Sequence, residues 1–205
     1  MKTILLFRHA KSDWTADSPD AERTLAERGH KAAAKMGRLI AASGCMPERA
    51  LISSAVRTRE TARIAAEAGF WKTTDRVTDA LYEATPQAVL AEIQAEPDSA
   101  STLVVIGHEP TTSQLAALLV GGGTFEVKTG SVLRIDVPVV RWADVTAGRG
   151  ALVWAVAPDT LDVARYRQLK KKSEKGMSRP VKTGTTPPEV LHVVPGAAEA
   201  AAPNT

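Results

Sequence analysis

Two short apolar runs constrain this chain more than anything else in it. They are "ILLF" at residues 4–7 and "LVVI" at residues 103–106, and each breaks off into a polar pair, Arg8-His9 and Gly107-His108. Runs of this length bounded by polar residues read as core strands covered on both faces, although periodicity alone leaves a buried helix segment open. Groups at the carboxyl end of such a strand sit at the rim of an open α/β sheet, where ligands bind. A third run, "RALIS" at residues 49–53, ends in the same manner and leads into "AVRTRETARIAAEAGF".

Between these runs the pattern alternates. Strands are expected at 3–8, 49–53, weakly at 76–82, at 101–108, and at about 131–137 and 151–156. A helix is expected from about 25 to 43, with Thr24 and Glu27 at capping-box spacing and Gly44 as its stop. Leu25, Ala32, Met36, Leu39 and Ile40 fall on one face of it. A second helix ends near Gly69, a third opens at Thr85-Pro86 and runs to about Glu96, and a fourth opens at Pro110 and stops at the glycine triplet 121–123. Such alternation implies an α/β fold, a three-layer sandwich with a mostly parallel central sheet and helices on both faces. The last two strands have no long helix between them, which suits an antiparallel edge.

Bulk properties narrow the class. With 205 residues, 44% hydrophobic and 24% charged, the composition is that of a globular protein with a full core. No run approaches the ~18 apolar residues of a membrane span, and the N-terminus has no signal-peptide pattern. One cysteine, Cys45, excludes an internal disulfide and suits a reducing compartment, so the cytoplasm is the expected location. The formal charge of +3 is uneven: from Arg165 onward eight cations face three acids, which leaves the rest of the chain at −2. A domain over residues 1–165 is therefore expected, followed by a basic, then proline-, threonine- and alanine-rich extension over 166–205, extended or mobile. Nucleic-acid proteins carry basic surface on the folded domain, so nucleic acid is a disfavoured partner, and no membrane association is expected.

The three strand ends define a candidate site. Strand ends of a parallel sheet share one edge, so Arg8-His9, the stretch from Ser53 to Arg57, and Gly107-His108 can converge although they lie far apart in the chain. Each also lies near an expected helix start, where free N–H groups and the helix dipole favour an anion. Two arginines and two histidines then surround one pocket, and arginine forks match phosphate oxygens bidentately. Taken singly, each residue has a plainer reading. Arg8-His9 would be a structural strand-end pair, His108 a capping residue, and one of Arg57 and Arg59 a salt-bridge partner. His30 reads as a solvated residue, Cys45 as inert packing and the lysine run 170–172 as a solvated charge run.

Together, "RHA", "SSAVRTRETA" and "GHEP" resemble the histidine phosphatase (phosphoglycerate mutase-like) superfamily in order and context. "LLFRHAKSDW", "RTLAERG" and "LYEA" are similar to its short SixA-type phosphohistidine phosphatase branch. The resemblance covers roughly residues 1–160. The usual signature is Arg-His-Gly, and position 10 is Ala here, whose methyl would crowd the turn or alter its backbone angle. The resemblance implies a phosphoglycerate mutase-like fold and a phosphatase in which His9 attacks phosphorus and a phosphohistidine forms. Arg8, Arg57 and His108 would surround the phosphoryl oxygens, Glu83 of "LYEA" would protonate the leaving group, and Ser12 would add a phosphate contact. No cofactor and no metal are implied. Larger relatives carry a cap in the region between Thr61 and Gly107, and the roughly 45 residues there imply an open site. An open site suits a phosphohistidine-bearing protein as the phosphorylated partner, and would equally admit a nucleotide or small phosphate ester. A phosphate-binding module without turnover is the competing reading of another class.

Overall fold

The computed structural model of the chain describes residues 1–15 and 18–160. The extension expected from residue 166, with its lysine run and His192, lies outside those residues. Ten regular elements follow in order: β1 (Lys2–Arg8), α1 (Glu27–Ala42), β2 (Arg49–Ser53), α2 (Val56–Gly69), β3 (Thr74–Thr78), α3 (Pro86–Gln94), β4 (Thr102–Gly107), α4 (Thr111–Val120), β5 (Val132–Val137) and β6 (Ala151–Val156). The strands form one six-stranded sheet in the order β3-β2-β4-β1-β5-β6. The first four of these are parallel, and β5 and β6 add antiparallel to the β1 side.

The two-residue period of β1 decides the layering. Ile4 and Leu6 join Leu103 and Val105 in a core shared with Val89 and Ile93 of α3 and Leu115 and Leu119 of α4. Leu5 and Phe7 point the other way, into a core with Val104, Ile106, Met36 and Ile40 of α1 and Ala62 and Ala65 of α2. Because both faces of the strand are covered, every side chain of "ILLF" is at most 1% exposed, each contributing about 1.5–3 kcal/mol. This is the expected three-layer sandwich. No helix among the described residues is long and apolar enough to cross a membrane.

Several local expectations are corrected. Helix α1 begins at Glu27 with Ala26 as N-cap and no side-chain cap, so the Thr24–Glu27 capping box does not form. Tertiary pairing takes those residues instead. Ser12 and Leu25 form an antiparallel bridge, the Thr24 carbonyl accepts from the Asp13 N–H, and the Leu25 N–H donates to Glu60. Glu27 pairs with Lys31 on the exposed face. The weak strand starts earlier than expected, at Thr74, and gives way to a 3-10 turn over Asp79–Leu81. Thr78 caps that turn by accepting from the Ala80 N–H, which ends the strand. Helix α3 does start as read, with the Thr85 hydroxyl accepting from the Ala88 N–H and Pro86 in the first turn.

Helices α1 and α2 approach closely enough that a Cβ on Gly37 would lie 2.1 Å from the Ala65 carbonyl oxygen. Gly37→Ala should therefore lose about 1–3 kcal/mol in chemical denaturation through overpacking, although alanine has the better helix propensity by about 1 kcal/mol. A stabilised variant would show that the helices part without cost.

Candidate active site

Strand register brings the site together. Arg8 of β1 is level with Gly107 of β4, and Ile52 of β2 is level with Ile106. The three chains therefore leave the sheet at the same height. The His9 N–H continues the ladder by donating to the Gly107 carbonyl at 2.9 Å. His9 and His108 then face each other with ring centroids 5.2 Å apart. After β2 only Ser54 and Ala55 precede α2, which places Arg57 in the first turn of that helix. The segment after His9 is the expected loop, but with α1 starting only at Glu27 it brings no helix start directly to His9, unlike the expectation that each strand end lies near one.

His9 is buried, and its Nδ1 lies 2.8 Å from the Ala10 carbonyl oxygen. A carbonyl only accepts, so Nδ1 carries the proton and Nε2 carries a lone pair. Burial pushes the His9 pKa down to about 3; the hydrogen bond to Ala10 opposes this, and His108, Arg57 and Arg8 add to it. The ring is thus neutral at neutral pH, with its Nε2 unprotonated. Ala10 itself causes no strain. It is not among the non-glycine residues with positive φ, its N–H donates to Thr61 Oγ1, and its methyl packs with Leu25 and Ala33.

His108 has a complementary arrangement. Arg57 Nη2 lies 3.4 Å from Nδ1, and Ser53 Oγ lies 2.8 Å from Nε2. Arginine only donates, so Nδ1 is the acceptor and Nε2–H donates to Ser53. Burial lowers the His108 pKa to about 4, followed by the charge of Arg57, with Asp20 opposing and Arg8 adding. Arg8 donates through Nη1 to the Val127 carbonyl at 2.6 Å, while its Nε is buried without a partner. A buried donor left unpaired costs about 1–3 kcal/mol.

A cleft of about 470 Å³ opens beside Arg57 and His108 and is lined by Asp20, Tyr82 and Glu83, among others, while Arg8 and His9 are not part of its lining. Glu83 is exposed there and holds a left-handed backbone, φ 51°, a conformation that costs a non-glycine residue of order 1 kcal/mol. Strain of this kind collects at functional positions. Ser12 stands differently: its hydroxyl accepts from Arg23 Nη2 at 2.8 Å, so its visible partner is a side chain of the neighbouring loop. His30 is exposed, as expected, and Cys45 is buried in the α1/α2 core with Arg134 Nη1 2.9 Å from its sulfur.

One residue at the site, Asp20, had no recognisable signal in the sequence. Ser53, in the stretch already singled out, orients His108, and Arg23 opens the "RTLAERG" motif, which carried no assigned role. Asp20 Oδ2 accepts from Arg57 Nη2 at 2.8 Å and from the Tyr82 hydroxyl at 2.9 Å, and Oδ1 accepts from Arg23 Nη1. Among the described residues no group of three or more His, Cys, Asp or Glu side chains could hold a metal ion.

Comparison with known proteins agrees with this geometry. Residues 4–101 match the family model of the histidine phosphatase superfamily (branch 1), a span that includes Arg8, His9, Arg57 and Glu83. An uncharacterized protein of Mycobacterium tuberculosis is 37% identical over 158 residues, which cover 71% of this chain and 96% of that one. The chain belongs to the histidine phosphatase superfamily. An uncharacterized chloroplastic protein of Arabidopsis thaliana is 27% identical over 175 residues, covering 78% of this chain and 79% of that one. Among solved structures, a candidate phosphohistidine phosphatase SixA from Nakamurella multipartitia superposes with a TM-score of 0.66 at 26% identity, over 77% of this chain and 96% of its own. The protein histidine phosphatase SixA complexed with tungstate gives 0.69 at 22% identity, over 78% and 99%, a likeness of fold.

The two depressed imidazoles carry a stability prediction. In the unfolded chain each histidine takes up a proton near pH 6.5, whereas in the folded superfamily member they do so only at about 3 and 4. Between these values the unfolded state binds more protons, so stability falls as pH drops from about 6.5 towards 4. Urea denaturation at pH 7 and pH 5 should show this loss, and His9→Gln/His108→Gln should reduce it. An unchanged slope in the double variant would place the imidazoles in contact with water.

Proposed function

We propose that this chain is a phosphatase that works through a phosphohistidine on His9 and removes phosphate from phosphohistidine carried by a protein. The observation that carries the reading is the Nδ1–H of His9 held on the Ala10 carbonyl, which leaves Nε2 unprotonated beside two arginines and His108. In the first step Nε2 attacks phosphorus in line, the Nε2–P bond forms and the bond from phosphorus to the leaving nitrogen breaks. Glu83, as its carboxylic acid, gives that nitrogen its proton. In the second step Glu83, now a carboxylate, accepts a proton from water; the oxygen attacks phosphorus, the Nε2–P bond breaks and phosphate leaves. Arg8, Arg57 and His108 balance the charge on the phosphoryl oxygens in both steps. Arrival of that negative charge favours protonation of His108 Nδ1 and turns it into a donor.

The protein-borne substrate is supported by what lies between α2 and β4. Those residues are used by β3, the 3-10 turn and α3, and Val89 and Ile93 of α3 are buried in the core. A substrate histidine on a partner's surface can thus approach the cleft. The resemblance to SixA-type proteins supports the same choice, and a small phosphate ester is the alternative that the assay separates.

Hydrolysis of a phosphohistidine protein and of para-nitrophenyl phosphate should proceed equally with and without EDTA. His9→Ala should lower both by about 10³-fold or more. A faster rate on the phosphohistidine protein supports the proposed substrate, and a strong preference for the ester contradicts it. Glu83→Gln should slow phosphate esters with poor leaving groups by about 10²-fold, a common contribution of a general acid. Equal rates for wild type and this variant across such esters would remove Glu83 from the proton-donor role.

A further inference from the structure

Asp20 accepts three side-chain hydrogen bonds at the cleft, and the reaction above does not employ it. Asp20 holds Arg57 twice, through its carboxylate on Nη2 and through its main-chain carbonyl on Nη1. The same carboxylate accepts from Tyr82, whose ring stands edge-on to His108 at 5.6 Å. Its other oxygen is tied to Arg23. Arg23 is itself fixed by Ser12 Oγ and the Asp13 carbonyl and lies over the Trp14 ring, 3.2 Å from the centroid. The loop on the open side of the cleft is therefore a built frame, and Asp20 is its link to Arg57.

A carboxylate at this place opposes the binding of any phosphoryl group, since like charges repel, and because the Asp20 side chain is half exposed water screens part of that repulsion. Arg57 is buried, so its side chain is not screened as a surface cation would be. The carboxylate nevertheless stays ionised. Desolvation works against its charge, but the hydrogen bonds from Tyr82 and Arg57 and the charges of Arg57 and Arg23 outweigh it and hold the pKa below the ordinary range.

We propose that Asp20 is a positioning residue of the phosphate pocket: it holds Arg57 in its working orientation and, by its own charge, limits how tightly the pocket retains phosphate. The proposal rests on the phosphatase reading in that it takes Arg57 as a phosphate ligand. A site that must release inorganic phosphate after every turnover gains from such a counter-charge, because two arginines and a protonated histidine would otherwise hold the product.

Asp20→Asn removes the charge while its amide oxygen still accepts from Arg57 and Tyr82, although the amide nitrogen then faces Arg23 and that one bond is lost. Glu22→Gln is the control, removing an exposed acid from the same 3-10 turn. Inorganic phosphate binding is measured by calorimetry at fixed ionic strength, and KM and kcat for para-nitrophenyl phosphate are measured in parallel. Asp20→Asn should tighten phosphate binding at least threefold and lower KM in step, while Glu22→Gln changes phosphate binding by less than twofold. A purely structural role would not produce tighter binding. Phosphate bound by Asp20→Asn with less than threefold gain, or more weakly than by wild type, overturns the proposal, as does an equal gain in Glu22→Gln. If phosphate binds as expected but no variant hydrolyses either substrate, turnover is the part that fails. If wild type binds no phosphate at all, both readings fall together.

Discussion

The level register of three parallel strands is the constraint on which the site depends. Arg8 beside Gly107, and Ile52 beside Ile106, end β1, β4 and β2 at one height. Each strand is locked by side chains buried on both faces. A slip of one residue would exchange Ile4 and Leu6 with Leu5 and Phe7 between two differently shaped cores. The position of the chemistry is thus fixed by hydrophobic packing well away from it. The polar groups need only short links to the sheet, and His9 and His108 have the shortest possible ones.

Within that frame the electrostatics follow from burial. Two imidazoles placed among arginines with little water are kept neutral, and the hydrogen bonds that remain assign their protons. The Ala10 carbonyl accepts from His9 Nδ1–H, and Ser53 Oγ accepts from His108 Nε2–H. One ring is thereby left with a lone pair at Nε2, which suits nucleophilic attack. The other presents a basic nitrogen to Arg57 that becomes a donor once an oxyanion arrives. Asp20 adds the opposing charge that keeps Arg57 in place.

Much of this was legible in the sequence because its physical cause is local. The strands announce themselves by length and apolar content, and Pro86 and Gly121 mark a helix start and a helix stop. Arg8 ends β1, His9 and His108 directly follow β1 and β4, and Arg57 sits in the first turn of α2, so element order alone groups them. What was not legible depends on contacts distant in the chain. Thr24 and Glu27 have capping-box spacing, yet the Ser12–Leu25 bridge and Glu60 claim the local backbone. Asp20 sits in a loop with no period, and only the fold brings it to Arg57, which follows more than thirty residues later. The substitution of Ala for Gly at position 10 implied a changed turn, whereas the backbone there is ordinary and the methyl fills a small apolar gap.

The most direct test of the covalent route is to trap it. Wild-type protein mixed with excess phosphorylated substrate is quenched in alkali within one turnover, digested and mapped by mass spectrometry. The account predicts a single acid-labile, alkali-stable phosphoryl group on the peptide carrying His9, and its absence in His9→Ala. Product formed within that turnover with no phosphoryl group on His9, or with the group on another residue, would contradict it.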